Sequence, residues 1–208
     1  MALPKLVYFA SRGRAEVIRL VAAEAGVAYE EENFKPDQFA ALKQSGRLPF
    51  QAVPIWEEGG FTLAQSAAIA NHLARPAGLR GATARDEALV DEALGAVEDV
   101  RNELRKLMTA EPAKRPELRK ELNDKVLPHW FGMLERLLGS NEYLVAGKLS
   151  VADLALWYLI EIARDNGFGS ALSDTPKLNG LFERVAARPR IAEYLKSPKR
   201  WPLTKLPG

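Results

Sequence analysis

Tyr8 closes a short apolar run, Leu6-Val7-Tyr8-Phe9, and Arg14 follows it beyond the polar, glycine-containing Ser11-Arg12-Gly13. A phenol at a strand end and a guanidinium at the next helix start bring a hydrogen-bond donor and a positive charge to one sheet edge. The free N–H groups of a helix's first turn face the same edge. Further along, Gln65-Ser66 opens another helix and presents backbone donors and a hydroxyl suited to a carboxylate. Taken singly, each residue also has a plainer reading: Tyr8 as a strand-end aromatic satisfying its hydroxyl locally, Ser66 as a helix cap.

Other chemistries are excluded by what the chain lacks. There is no cysteine, so a disulfide framework, a thiolate zinc site, a CxxC pair and a cysteine nucleophile are all ruled out. Any thiol chemistry must use a substrate's sulfur. His72 and His129 have no histidine partner at metal-binding spacing, so no metal site is expected. No GxGxxG, GxxxxGK[ST] or GxSxG motif occurs. The 29 Lys and Arg are interspersed with 27 Asp and Glu for a net charge of +2, which argues against a nucleic-acid-binding face despite a pI near 8.8. No secretory signal pattern and no apolar run approaching the ~20 residues of a membrane span are present. A cytoplasmic protein is expected.

The elements that must position these residues follow from hydrophobic period. Leu6–Phe9 reads as a strand, and Ile18, Val21, Ala22 and Ala25 mark a helix from Arg14 that Gly26 stops. Val27-Ala28-Tyr29 reads as a second strand, parallel to the first. Pro36 opens a short helix through Phe39 and Lys43. Val53-Pro54-Ile55-Trp56 and Phe61-Thr62-Leu63 form a hairpin about Glu57–Gly60, and a helix runs from Gln65 to Arg75. After the Pro/Gly-punctuated 76–81 stretch, strand signals vanish. Leu89, Ala93, Ala96, Val97, Val100, Leu104, Leu107 and Met108 mark one long helix. A second runs over 117–138 with a kink or break at Pro128. Ser150 and Asp153 form a capping box ahead of a buried helix, and two shorter helices follow, near 178–187 and 191–195. This divides the chain into an α/β domain over 1–77, a linker over 78–83 and an all-helical domain over 84–208.

Five segments, in order, resemble the cytosolic glutathione transferases of the tyrosine-using group. They are Tyr8-Phe-Ala-Ser-Arg-Gly-Arg14, Leu48-Pro-Phe-Gln-Ala-Val-Pro54, Thr62-Leu-Ala-Gln-Ser66, Val97-Glu-Asp-Val-Arg101 and Gly147-Lys-Leu-Ser-Val-Ala-Asp153. The resemblance covers essentially the whole chain. It implies a thioredoxin-like glutathione-binding domain followed by an all-helical one that forms the electrophile site. It also implies a transferase that adds the glutathione thiolate to small electrophiles, with glutathione as co-substrate and no tightly bound cofactor. By resemblance, Tyr8 donates a hydrogen bond to the glutathione sulfur and Arg14 adds positive charge beside it. Val53 and Pro54, the latter at the family's cis-proline, meet the cysteinyl part. Gln65 and Ser66 hold the γ-glutamyl carboxylate, while Phe39, Lys43 and Gln51 lie at the glycyl end. Asp99 reaches the γ-glutamyl amine of a neighbouring subunit's ligand, and Phe50 inserts into that subunit, so a homodimer is implied. Phe9, Ser11, Arg12, Arg105, Met108 and Thr109 are expected to line the electrophile pocket, and the two arginines to favour polar or anionic electrophiles.

Two positions depart from the family pattern. Phe39 replaces the usual tryptophan and cannot donate an indole hydrogen bond. Ala52 stands where a Gln or Lys is usual, so one glycyl-end contact is missing and weaker glutathione binding is expected. Two alternatives remain open from sequence: a non-catalytic carrier of hydrophobic ligands with the same fold, and use of the same thiolate for isomerisation or peroxide reduction.

Overall fold

The computed structural model describes residues 2–207. Met1 and Gly208, the outer ends of the two expected domains, lie outside the described residues. The chain forms two compact units: Met1–Gly78 with Pro189–Thr204, and Leu79–Arg188 with Lys205–Gly208. The stretch 189–204 was expected in the helical domain and instead packs with the first unit. Its side chains explain this: Arg190 donates to the Glu24 carbonyl at 2.8 Å, and Tyr194 and Arg200 bind the buried Glu16.

The first unit is a four-stranded sheet in the order β2-β1-β3-β4, made of β1 (Lys5–Phe9), β2 (Glu30–Phe34), β3 (Ile55–Glu58) and β4 (Phe61–Ala64). β1 and β2 are parallel, and the β1–β3 and β3–β4 pairs are antiparallel. α1 (Glu16–Ala25) ends at Gly26, whose φ of +70° is the left-handed cap that glycine adopts without a Cβ penalty. α2 (Phe39–Gln44) follows a single 3-10 turn at Pro36, and α3 (Ser66–Ala74) follows the hairpin. The strand expected at Val27–Tyr29 lies instead in the acidic run, with Tyr8 opposite Asn33. In the sequence this run directly follows the expected strand. It forms an edge strand because its carboxylates are paired: Glu31 with Arg19, and Glu32 with Arg47 and Lys5. Arg47 also binds Glu57 on β3 at 2.7 Å, so one guanidinium joins two strands that flank β1.

The second unit is helical. α4 (Ala84–Thr109) starts at a Thr83–Asp86 capping box and buries Val90, Ala93, Val97, Val100, Leu104 and Leu107. Leu89 and Met108, expected in the same stripe, are exposed, because the true stripe follows Val90 rather than Leu89. α5 (Arg115–Glu121) and α6 (Leu127–Leu138) are joined by a π-helical turn at Leu122–Val126, where the Leu127 N–H reaches the Leu122 carbonyl. Pro128 has no N–H for the preceding turn, so the expected break takes the form of a wider turn just before it. α7 (Val151–Asp165) is buried over most of its length. Its capping carboxylate, Asp153, accepts from the Ser150 N–H, the Ser150 hydroxyl and the Leu144 N–H at 2.7–2.8 Å. α8 (Pro176–Ala186) completes the unit, while α9 (Pro189–Lys196) belongs to the first.

Candidate active site

Tyr8 is the fourth residue of β1 and is 8% exposed. Its hydroxyl oxygen accepts a hydrogen bond from the Arg14 backbone N–H at 2.9 Å. With its acceptor side so engaged, the phenol keeps its own hydrogen to donate elsewhere. The loop can fold this closely because Gly13 has φ of +43° and no side chain, whereas a Cβ there would stand 2.4 Å from the Tyr8 oxygen. Sequence reading took Gly13 only as a turn residue. The close approach of a glycine to a strand-end aromatic leaves no mark in spacing alone.

Phe9 packs edge-on to Tyr8 with ring centroids 5.5 Å apart, and stands 4.6 Å from Phe34 and 5.2 Å from Phe39. Lys43 extends its ammonium over the Phe39 ring at 4.9 Å. Phenylalanine thus offers the lysine a cation–π seat where it has no N–H to give. Val53, Phe34 and Phe39 are partly buried against the cluster of Val7, Leu48, Ile55 and Ala64. The Val53–Pro54 peptide bond is cis.

Two of the expected ligand-holding residues have strained backbones: φ is +50° at Gln51 and +76° at Gln65. Neither is glycine, and such conformations persist where the surroundings over-determine them, commonly at binding sites. Gln65, not Ser66, is the N-cap residue of α3, and its side chain makes no capping bond. Ser66 is therefore the first helical residue rather than a cap, and first-turn N–H groups stay available to an anion.

Arg12 lies between Tyr8 and Arg14, and its Nε donates to the Trp201 carbonyl at 2.6 Å. Ser11 is half-buried beside it, and its N–H bonds the Phe9 carbonyl. The structure thus gathers Tyr8, Phe9, Ser11, Arg12, Arg14, Phe39 and Lys43 about one end of the sheet, with Val53 in the adjoining core. Phe50 is 65% exposed. In the second unit, Asp99, Arg105, Met108 and Thr109 are all exposed on α4. A cavity of about 660 Å³ in the first unit is lined by Trp56, His72 and Leu73 among others, and includes none of these site residues.

Sequence reading missed a buried charge network on α1. Glu16 and Arg19 are at most 1% exposed, and Arg19 binds both oxygens of Glu31 at 2.8 and 3.1 Å. Burial works against both charges, yet the mutual hydrogen bonds and attraction hold the Arg19 guanidinium above its usual range and Glu31 below the usual carboxylate range. The available signal was phase: Arg19 shares the helix face of Ala15, Ile18 and Ala22.

A thioredoxin-like mixed sheet followed by a helical unit is the two-domain architecture of glutathione transferases. Residues 4–75 match the model of the glutathione S-transferase N-terminal domain, and residues 98–198 that of the C-terminal domain. Glutathione S-transferase A2 of Bos taurus is 34% identical over 196 residues, which cover 93% of this chain and 87% of the relative. Glutathione S-transferase P 1 of Xenopus laevis is 34% identical over 201 residues, 94% of this chain and 92% of the relative. The crystal structure of monomeric Na-GST-3, from Necator americanus, aligns with a TM-score of 0.87 at 30% identity, covering 98% of this chain and 100% of that one. The chain belongs to the glutathione S-transferase family, and it is a glutathione transferase with glutathione as its substrate. Among the described residues, no helix is long and apolar enough to cross a membrane.

Proposed function

We propose that Tyr8 donates its hydroxyl hydrogen to the sulfur of bound glutathione, favouring the thiolate, which then attacks a small electrophile by substitution or conjugate addition. The observation that carries this reading is the 2.9 Å bond from the Arg14 N–H to the Tyr8 oxygen, which orients the phenol and leaves its proton free for the sulfur. Arg14 adds positive charge near the developing anion. In this reading Val53 and Pro54 hold the cysteinyl backbone, and Gln65 and Ser66 bind the γ-glutamyl carboxylate at the start of α3. Phe39, Lys43 and Gln51 meet the glycyl end. The candidate electrophile contacts are Phe9, Ser11, Arg12, Arg105, Met108 and Thr109. No tightly bound cofactor takes part, and the enzyme works in the cytoplasm.

A homodimer is part of the same proposal. Phe50, a large apolar side chain left in solvent, is the residue inserted into the partner, and Asp99 serves the partner's ligand. Light scattering gives the mass directly, and a monomer that retains full activity would remove both roles.

The chemical test is the ultraviolet absorbance of the thiolate of bound glutathione as a function of pH. In the wild type the bound thiol should ionise well below about 8.5, the ordinary thiol value. Tyr8→Phe should return it there and lower kcat/KM by about 10²-fold, the loss typical of one preorganised donor. Identical titrations in the two proteins would refute the role given to Tyr8.

A further inference from the structure

Between Tyr8 and Arg14 the chain passes through Ser11 and Arg12, and both of their carbonyls are held by one buried side chain. Arg19 Nη1 donates to the Ser11 carbonyl at 2.8 Å and to the Arg12 carbonyl at 3.3 Å. The rest of that guanidinium is committed to carboxylates: Nε and Nη2 to Glu31, with Glu16 3.5 Å from Nη1. A guanidinium is a rigid plane, so seating its other edge on Glu31 fixes the direction in which Nη1 points.

The two carboxylates are in turn held from the far end of the chain. Tyr194 donates its hydroxyl to Glu16 Oε2 at 2.9 Å, and Arg200 Nε donates to Glu16 Oε1 at 2.8 Å. Trp201 donates its indole N–H to Glu31 Oε2 at 3.0 Å, and its carbonyl accepts from Arg12 Nε at 2.6 Å. The C-terminal segment therefore grips the loop twice, once through the carboxylates and Arg19, and once directly through Arg12.

We infer that Arg19 and the segment Tyr194–Trp201 are positioning residues for the reaction, holding the Ser11–Arg12 loop so that the Arg14 N–H meets the Tyr8 hydroxyl. The inference rests on the role of Tyr8 proposed above and deepens it. Stability is a weak reason for such a network, since well-packed apolar side chains commonly match or exceed buried ion pairs. What the network does that apolar packing does not is bind two loop carbonyls that belong to no strand or helix.

The experiment uses the full-length protein in four forms: wild type, Tyr8→Phe, Trp201→Phe and Arg19→Lys. Trp201→Phe keeps an aromatic ring and removes the donor to Glu31. Arg19→Lys keeps the charge and loses the fork that spans Glu31 and both carbonyls. Each is titrated for the thiolate of bound glutathione, assayed for kcat and for KM toward glutathione, and melted. Trp201→Phe and Arg19→Lys should raise the pH of thiol ionisation part of the way toward that of Tyr8→Phe. They should also lower kcat about 3- to 30-fold with KM changed less than about threefold, as small misplacements of a catalytic group do. Should Arg19→Lys fail to fold, Trp201→Phe carries the test alone. A lowered Tm with wild-type titration and kcat in Trp201→Phe overturns the inference, as does a rise in KM alone. If instead Tyr8→Phe leaves the titration unmoved, the role of Tyr8 falls and this inference falls with it.

Discussion

Replacing Gly13 with alanine tests the fit around the Tyr8 hydroxyl most directly. A Cβ at Gly13 lies 2.4 Å from the Tyr8 oxygen and 2.9 Å from its Cε1. To restore van der Waals contact, the hydroxyl must retreat by about 1 Å or the loop must open by as much. Either movement disturbs the 2.9 Å bond from the Arg14 N–H. A 1 Å misplacement costs up to about 10²-fold in rate, so kcat should fall between about 10- and 100-fold, with the bound thiol ionising at higher pH. Alanine also pays about 1–2 kcal/mol for a left-handed backbone, which lowers Tm by about 2–4 °C per kcal/mol in a chain of this size. Gly59 separates the two effects: its φ is +55° and nothing lies within 4 Å of the Cβ position. Gly59→Ala should therefore melt early and keep full activity, whereas Gly13→Ala should melt early and lose kcat. Steady-state assays with a chromogenic aryl halide decide between them. If Gly13→Ala stays within about twofold of Gly59→Ala, a value too small for a displaced catalytic group, the fit of glycine against tyrosine is not what holds the hydroxyl.

Two further predictions concern binding and acid stability. Ala52→Gln restores a side-chain contact at the glycyl end and should tighten glutathione by about 1.5–3 kcal/mol, read as at least a tenfold fall in Kd by calorimetry; an unchanged Kd would show that no contact is missing. Glu32 and Glu57 are held below the usual carboxylate range, chiefly by hydrogen bonds from Arg47. Their folded pKa values lie under the unfolded ones, so the stability they contribute is present above about pH 4.3 and is lost as pH falls through the folded values. Tm should fall between about pH 5 and 3, and more shallowly in Arg47→Met, which starts lower by no more than about 1 kcal/mol per pair. Parallel wild-type and Arg47→Met curves would show that this pair of glutamates is not the source of the acid sensitivity.

The elements that carry Tyr8 and Ser66 were legible because their signals are local, whereas Arg14, expected at the start of a helix, stands in a 3-10 turn (Gly13–Ala15) ahead of α1, and Gln65 lies just ahead of α3. A short apolar run, a glycine stop after α1 and a hairpin turn each fix structure over a few residues, and the structure has all three. Pro128 marked a break in the helix, although not that the break would be a π turn just before it. The second strand was misplaced because three glutamates in a row look like solvent-facing loop until the partners on Lys5, Arg19 and Arg47 are known. The buried network was illegible for a related reason. Its bonds join α1 and β2 to residues 170 to 184 positions away, and no periodicity reaches that far. The same distance hid the return of 189–204 to the first unit.

The near-zero net charge of the chain hides an arrangement that bears on the chemistry. The site proposed to stabilise a thiolate stands on a sheet whose edge strand carries Glu30, Glu31 and Glu32, and an unpaired carboxylate nearby would favour the protonated thiol. Glu31 is the one whose guanidinium partner also binds the Tyr8 loop. Arg19 thus has two effects that would look alike in a simple deletion: it neutralises Glu31, and it holds the carbonyls of Ser11 and Arg12. Arg19→Lys preserves the first effect and removes most of the second, whereas Arg19→Met removes both. Any loss of thiolate stabilisation already present in the lysine variant is therefore geometric, and the further loss in the methionine variant reports the charge left on Glu31.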